Sequence, residues 1–395
     1  MAAYAMVATL PGRTQGLGLI TEPLLRDLGL GRLGYARLNV WTTLAGAGLG
    51  LVFGRMQDRW GSRRVLALLG LTLGGSVVAL GSIQGVAGLA AGLVLARGLG
   101  QTALSAASIG LVGQSFPRGL PWAMAVYSVV LSIGFMAAFP LAGWAVEQVG
   151  WRAAWRWVGV GVAGLAPLAL TLVHPPPPDT GPSRGDPADG LAGEADLRLG
   201  EALGTPAFWV FGLSSALYLL VASGIGLFNE SILAELGFGP RIYHVALGVT
   251  ALTGLGGNLV GGWLGARHRP GVLLAGALYL LAAGLAALPH LRSTAAVLTQ
   301  AGLLGLSGGF VTVVFFTFWP RVYGRRHLGQ VQGAAQALTV VASALGPLAL
   351  AGAQAWTGSY AAIFRLLAVG VAGAAVAVWW VPLPGRRRAP DIPAG

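Results

Sequence analysis

The chain has 395 residues, of which 55% are hydrophobic and 10% are charged, and its mean hydropathy is +0.71. Soluble proteins carry roughly 25% charged residues, so this composition excludes an ordinary water-soluble domain. All 25 basic residues are Arg, and Lys and Cys are absent. That excludes a P-loop lysine, a Schiff base, a thiolate nucleophile and a Cys-ligated metal. The net charge of +12 therefore calls for a membrane explanation before a nucleic-acid one.

Twelve apolar runs are long enough to cross a bilayer, since a transmembrane helix needs about 20 mostly apolar residues. The sequence therefore predicts an all-α membrane protein. The predicted spans are 2–25, 34–54, 65–84, 87–114, 120–146, 153–173, 207–233, 243–265, 271–289, 294–319, 329–356 and 361–382.

The stretch after the sixth run changes in character. Residues 174–178 read HPPPP, and six of the 13 acids lie in 179–201 among Gly, Pro and Ser. Such a segment stays solvated and separates the spans six and six. We therefore predict an N-terminal six-helix bundle, a cytoplasmic linker, a C-terminal six-helix bundle and a cytoplasmic tail, over 1–173, 174–205, 206–384 and 385–395.

The distribution of Arg predicts the orientation. The side that holds the termini and the linker receives 15 Arg, and the other side receives eight. Because basic loops stay in the cytosol, both termini are predicted to be cytoplasmic in a multi-pass protein of the inner (plasma) membrane.

The two predicted bundles resemble each other. With an offset of 208 residues, 16–35 (GLGLITEPLLRDLGLGRLGY) aligns with 224–243 (GIGLFNESILAELGFGPRIY), so that Glu22 meets Glu230 and Tyr35 meets Tyr243. Parallel six-span repeats build transporters whose solute site lies at the midplane between the halves. The alternative is chance similarity between two Gly-rich membrane segments.

The loop after the second span carries a spaced set of charges and glycines. It reads GRMQDRWGSRRVL over 54–66 and resembles the G-x-L-x-D-R-x-G-R-R/K signature of the major facilitator superfamily, with Met56 at the usual Leu. That resemblance implies two rocking halves, twelve helices and a loop that latches the cytoplasmic face in one access state. The residues of this gating latch are Gly54, Asp58, Arg59, Gly61, Arg63 and Arg64. Its copy in the second half has Ala266 where the Asp stands.

Softer likenesses point to a branch of that family. Residues 323–333 (YGRRHLGQVQG) and 342–347 (ASALGP) resemble the monocarboxylate and oxalate/formate carriers. Arg97 and Gln101 resemble the family's R-x-x-x-Q/G element. The eighth span, however, lacks the central Arg of many monocarboxylate carriers.

Two Arg residues fall at mid-depth. An ionisable residue inside a span is a functional-site hypothesis by default. Guanidinium groups pair bidentately with carboxylates, so Arg13 and Arg97 predict an anion site that Gln101 helps to orient. The alternatives are a structural pairing for Arg97 and snorkelling to the cytosol for Arg13.

Glu22 and Glu230 are candidates for proton coupling, since burial favours the neutral carboxyl. The alternative is a pair of interfacial carboxylates partnered by Arg26 or Arg241. Further candidates for the solute cavity, each of which has simple packing as its alternative, are Tyr127, Tyr218, Asn229 and Phe316.

The sequence thus predicts a secondary transporter of a small, monocarboxylate-like organic anion, coupled to protons or anion exchange. The alternative function is proton-coupled efflux of lipophilic compounds. A membrane enzyme is not indicated, because the five His are scattered and paired mid-span carboxylates are missing. We expect no cofactor, no metal and no nucleic acid, and a monomer in the lipid bilayer.

Overall fold

We describe a computed structural model covering residues 1–115, 120–173, 197–324 and 328–384. The first half contains the broken helices of spans 1 to 6. These are α1 (Ala2–Val7) and α2 (Thr14–Leu28) of span 1, α3 (Arg32–Leu80) of spans 2 and 3, α4 (Val86–Leu95) and α5 (Ser105–Ser115) of span 4, and α6 (Leu120–Ala163) and α7 (Leu165–Leu172) of spans 5 and 6.

The second half contains spans 7 to 12, one helix to each span. A short helix, α8 (Leu199–Leu203), precedes them. The spans are α9 (Pro206–Glu235), α10 (Pro240–Arg267), α11 (Pro270–Ala287), α12 (Thr294–Tyr323), α13 (Leu328–Thr357) and α14 (Ala361–Trp380).

Two of the long helices are in fact pairs of spans. Gly61 within α3 and Gly150 within α6 have φ angles of 78° and 77°, which only Gly adopts without strain, and each marks a sharp turn. Within the described residues, nine helical segments are long and apolar enough to cross a membrane, and one of them, 126–172, includes the turn at Gly150. That segment contains spans 5 and 6, so the nine segments account for ten crossings. Spans 1 and 2, which are not among the nine, bring the number to the predicted twelve.

The outer surface of the bundle is apolar, as lipid contact requires. Large exposed side chains at span depth include Trp41, Leu71, Leu141, Trp157 and Val369. In the lipid there is no water to hydrogen-bond the backbone. The peptide groups at this surface are therefore satisfied by hydrogen bonds within each helix.

The polypeptide enters span 1 and leaves span 6 on the same side of the bundle, which we call the linker side. On the opposite side the two halves touch. Span 1 packs on span 7, and span 5 packs on span 8. Gly18 and Gly226 lie so close there that a Cβ on Gly18 would overlap the carbonyl oxygen of Gly226. Small residues permit this close approach of helices from different halves.

Several predicted features lie outside the described residues. They are most of the linker, the tail over 385–395, and residues 325–327 of the segment that resembles the carboxylate carriers. The side chains of Asp58 and Arg59 also lie outside the described part, and the surroundings of Gly54 do too.

Candidate functional site

A polar cavity lies between the two halves near mid-depth. Its volume is about 70 Å³. Spans 2 and 4 of the first half and spans 7 and 11 of the second half contribute its walls. The lining residues are Thr43, Ala47, Arg97, Gln101, Thr102, Leu219, Gln336, Thr339, Val340 and Ser343. The cavity therefore occupies the place where the repeat predicts a solute site.

Arg97 is the positive charge of this cavity, and its side chain is held by neutral groups. Nε and Nη2 donate to Asn39 Oδ1 at 3.1 and 2.5 Å, and Nη1 donates to Thr14 Oγ1 at 3.1 Å and Gln101 Oε1 at 2.9 Å. These bonds use four of the five guanidinium N–H groups. The fifth, on Nη2, has no acceptor among the residues that the structure describes.

The backbone around Arg97 is irregular for a packing reason. Residues 96–104 form a π-helical stretch, and span 1 breaks into a 3₁₀ turn at Leu10–Gly12 directly opposite. A Cβ built on Gly12 would lie 2.1 Å from the carbonyl oxygen of Ala96, so no larger residue fits. This backbone contact brings Thr14, the first residue of α2, within reach of Arg97. π-Helical turns are often found at functional sites.

The charge on Arg97 has no counter-ion in the described part of the protein. Arg97 is 2% exposed, and each of its hydrogen-bond acceptors is an amide or a hydroxyl. A buried charge is stable only when hydrogen bonds or an opposite charge replace the lost water. Beside it, Thr43 is 7% exposed and its Oγ1 has no hydrogen-bond partner. The residues that line the cavity thus include one cation and one hydroxyl that has no partner among the described residues.

Arg13 is directed elsewhere, although it neighbours Thr14. Its Nε donates to Thr9 Oγ1 at 2.7 Å, Nη2 lies 2.9 Å from Met6 Sδ, and the guanidinium stacks 4.9 Å from the ring centre of Phe135. Arg13 is not among the cavity-lining residues. The structure therefore does not bring the two predicted anion ligands into one cavity.

The other predicted cavity residues are also dispersed. Tyr127 is buried and shares a hydrogen bond of 2.9 Å with Ser108, on the Arg13 side of span 5. Tyr218 packs its hydroxyl against Gly308 of span 10. Asn229 lies partly buried in span 7. Phe316 is 57% exposed on the outer surface and stacks edge-on with Phe315. Of the residues predicted to bind the solute, only Gln101 lines the cavity together with Arg97.

The repeat-related acids have different surroundings. Glu22 forms an ion pair with Arg32 at 2.8 Å, not with Arg26 or Arg241 as the sequence suggested. Glu230 forms no ion pair with any described residue. The charged groups that interact with it electrostatically are Glu22, Glu147, Arg26 and Arg32.

The predicted latch lies on the linker side at the turn between spans 2 and 3. Gly61 provides the turn, and Arg63 donates to the carbonyl oxygen of Leu170 in span 6. Arg64 is exposed. The described latch residues thus tie spans 3 and 6 of the first half together.

Sequence reasoning did not select Asn39, Thr14, Thr43, Thr339 or Ser343. Asn39 and Thr14 become visible only through their contacts with Arg97, since they lie 58 and 83 residues away. Thr339 and Ser343 are four residues apart on one face of span 11, and Gln336 lies on the same face. That spacing in the sequence could have indicated a polar helix face directed at a cavity.

A helical bundle of two six-span halves with a polar cavity between them is the architecture of one class of secondary transporter. The sequence matches the family model described as Major Facilitator Superfamily over residues 4–347. The chain belongs to this family, and it is a major facilitator superfamily transporter. A search of curated proteins finds no match.

Solved structures of other transporters share the fold. A bacterial homologue of the human lysosomal transporter Spinster, in an inward-facing and occupied conformation, is 16% identical with a TM-score of 0.68, covering 95% of this chain and 90% of that one. The nucleoside transporter NupG, in a mutant form, is 13% identical with a TM-score of 0.74, covering 96% of each chain. At such identities the similarity concerns the fold alone.

Proposed function

We propose that the protein transports a small, monocarboxylate-like organic anion by alternating access, coupled to protons or to exchange of a second anion. The observation that carries this proposal is Arg97. It is a buried guanidinium without a counter-ion in the described residues, and it lines a cavity shared by both halves. A carboxylate in that cavity accepts a hydrogen bond from the remaining N–H of Nη2 and neutralises the positive charge of Arg97.

The size and polarity of the cavity favour a small anion over a lipophilic drug. Its volume of about 70 Å³ is well below the roughly 300–1,000 Å³ of drug-sized sites. Among the described residues no acid lines it to attract a cationic drug, whereas Thr43, Gln336 and Ser343 carry groups that can hydrogen-bond a polar solute. The same groups suit a carboxylate with a hydroxyl or carbonyl substituent.

The proposal includes the orientation of the protein. The excess of Arg on the side of the termini and linker supports a cytoplasmic position for that side in a protein of the plasma membrane. The halves are in contact on the opposite side, which is then the extracellular or periplasmic one.

The direct test is uptake of radiolabelled short monocarboxylates into proteoliposomes. We expect Arg97→Gln to abolish uptake. Arg13→Gln is the matched control, because it removes a partly buried guanidinium of the same half that does not line the cavity. It should retain most of the uptake. Gel filtration and thermal melting establish that both variants are folded. Unchanged uptake by folded Arg97→Gln would contradict the proposal.

A further inference from the structure

Glu22 and Glu230 lie across from each other at the contact between span 1 and span 7. A Cβ on Gly18 would overlap the carbonyl oxygen of Gly226, so these two glycines mark the point where the helices touch. Both helices run toward the opposite side, and each glutamate follows its glycine by one helical turn on the same face. The two carboxyl groups interact electrostatically. We call the contact formed by these four residues the seam, and it must separate when the transporter opens to the opposite side.

The negative charge at the seam is not fully balanced. The charged groups that interact electrostatically with Glu230 are Glu22, Glu147, Arg26 and Arg32. Together with Glu230 they make three carboxyl groups and two guanidinium groups. Arg32 is already bound to Glu22 at 2.8 Å, and Arg26 is exposed, so its charge is screened by solvent. An ionised Glu230 would therefore add a surplus negative charge to the closed seam.

The other titratable groups around the seam do not remove this surplus. His244 of span 8 has its Nδ1 3.4 Å from Oε1 of Glu147, but its side chain is only 7% exposed. Burial keeps this imidazole neutral, because the charged form would lose its water. The remaining acids of the opposite side are bound elsewhere, namely Asp27 to Trp151 and Arg152, and Glu235 to Ser359 and Tyr360.

A buried tyrosine hydroxyl lies in the seam near Glu230. Tyr243 of span 8 is fully buried, and its Oη has no hydrogen-bond partner among the described residues. A Cβ on Gly18 would lie 2.8 Å from this Oη, which places the hydroxyl between spans 1 and 7. It also interacts electrostatically with Glu230. Because a phenolic hydroxyl can accept a hydrogen bond as well as donate one, it suits a protonated carboxyl group as a neighbour.

We propose that Glu230 is the proton-binding residue of the transport cycle, and that its protonation lets the seam close. This rests on the proposed function, which couples the solute to protons or to a second anion, and it selects the proton. While the transporter is open to the opposite side, water solvates the Glu230 carboxylate. A proton from that side forms an O–H bond on the carboxylate, the surplus negative charge is removed, and the halves close. Loss of the proton restores the charge and favours opening.

The physical requirement is that the closed seam binds the proton more tightly than the open one. Closure removes water from Glu230 and brings it toward Glu22 and Glu147 of the other half. Both changes disfavour the charged carboxylate, so they act in the same direction. Because a ligand shifts a conformational equilibrium only by its differential affinity, proton binding and seam closure favour each other.

The absence of Cys allows this to be measured on the full-length protein. Gly31 and Gly239 precede spans 2 and 8 on the opposite side, one in each half, with φ angles of −73° and −81°. A Cβ built on either has no atom within 4 Å. Gly31→Cys with Gly239→Cys therefore accepts two spin labels, and the distance between them reports the seam without any solute.

We expect the ratio of the closed population, with the short label distance, to the open population to fall about tenfold from pH 5.5 to pH 8.5. Such a factor lies within the usual range of coupling between two sites. Glu230→Gln, which is neutral at every pH, should keep the seam closed at both pH values.

Two matched controls should keep the response of the wild type. Glu235→Gln removes a carboxylate of the same helix whose partners lie within the second half. His244→Gln removes the other titratable group that contacts an acid between the halves.

The proposal is overturned by populations that do not depend on pH in the wild type, by a response that persists in Glu230→Gln, or by loss of the response in either control. These readings need no transported anion, so they are independent of the uptake assay. Should carboxylate uptake fail while the pH response holds, the proposed solute is wrong and the proton site stands. Should uptake succeed without a pH response, the proton site is wrong and the proposed function stands with exchange of a second anion.

Discussion

The two halves share a repeat in sequence but differ in where they hold charge. The first half buries Arg97 on a π-helical stretch beside a break in span 1. Aligning 116–118 with 319–321 places Gln300 of span 10 opposite Arg97, and the offset of the first spans places Leu247 opposite Asn39. The second half therefore has neither the cation nor its main partner. It contributes amides and hydroxyls to the cavity, whereas the first half contributes the charge.

The repeat-related acids show the same asymmetry. Glu22 is paired with Arg32, while Pro240 stands at the equivalent of Arg32 and Glu230 is left without an ion pair in the described residues. The two halves therefore share their helices but differ in the charges that they carry at equivalent positions. The helix packing is therefore common to both halves, and under the proposed function it is the first half that supplies the charge for solute recognition.

The largest effect is expected from making the first half like the second at Asn39. Asn39→Leu copies Leu247 and removes both hydrogen bonds to the amide oxygen from a buried cation, which costs about 2–4 kcal/mol. We expect a clearly lower melting temperature and loss of carboxylate uptake. Wild-type melting and uptake would show that Asn39 does not hold Arg97.

A more selective change is Asn39→Asp, which keeps the shape of the side chain and supplies a carboxylate. Because the introduced carboxylate would neutralise Arg97 from within, the solute anion is no longer needed as a counter-ion. We expect melting at or above the wild-type temperature and carboxylate affinity lowered by roughly tenfold or more. Wild-type affinity in this variant would contradict the role of Arg97 as the anion ligand.

Thr43 tests the smaller, uncharged part of the site. Its Oγ1 has no partner among the described residues, so Thr43→Val should leave the melting temperature unchanged and weaken solute binding by about 0.5–1.5 kcal/mol. Thr42→Val is the matched control, since the Thr42 hydroxyl donates to the Asn39 carbonyl oxygen and does not line the cavity. Equal effects of the two changes on binding would remove Thr43 from the site.

The smallest effect concerns the acids. Glu22→Gln breaks a partly exposed ion pair and should lower stability by at most about 1 kcal/mol. Glu230→Gln breaks no ion pair and removes repulsion from Glu22 and Glu147, so it should leave the melting temperature equal or slightly higher. The opposite order of the two melting temperatures would refute the asymmetry.

The fold was predictable from the sequence because bilayer thickness fixes the length of an apolar span. The predicted spans agree with the helices, and the turn at Gly61 lies within the signature that suggested the family. The break at Leu10–Gly12 and the π-helical stretch were not predictable. They arise from contact of Gly12 with Ala96 and Gly100, residues of a different span.

The site was predictable in part. A rare charge at mid-depth and a likeness to the family's R-x-x-x-Q/G element selected Arg97. The same likeness and the helical spacing selected Gln101, whose Oε1 does accept a hydrogen bond from Arg97. The position at mid-depth also selected Arg13, whose side chain leaves the break in span 1 toward Phe135 and not toward the cavity. The direction of a side chain at a helix break depends on neighbours that the sequence does not specify.

The central claim is that Arg97 binds the carboxylate of the solute, and ligand-induced thermal stabilisation of the purified protein tests it most directly. The panel consists of short monocarboxylates, a neutral sugar, a nucleoside and a lipophilic cation. A ligand at about 100 times its dissociation constant stabilises the folded state by about 2.7 kcal/mol. We predict that a monocarboxylate raises the melting temperature of the wild type and of Arg13→Gln but not of Arg97→Gln. Stabilisation by the cation or the neutral solutes alone, or equal stabilisation of Arg97→Gln by the carboxylate, would contradict the claim.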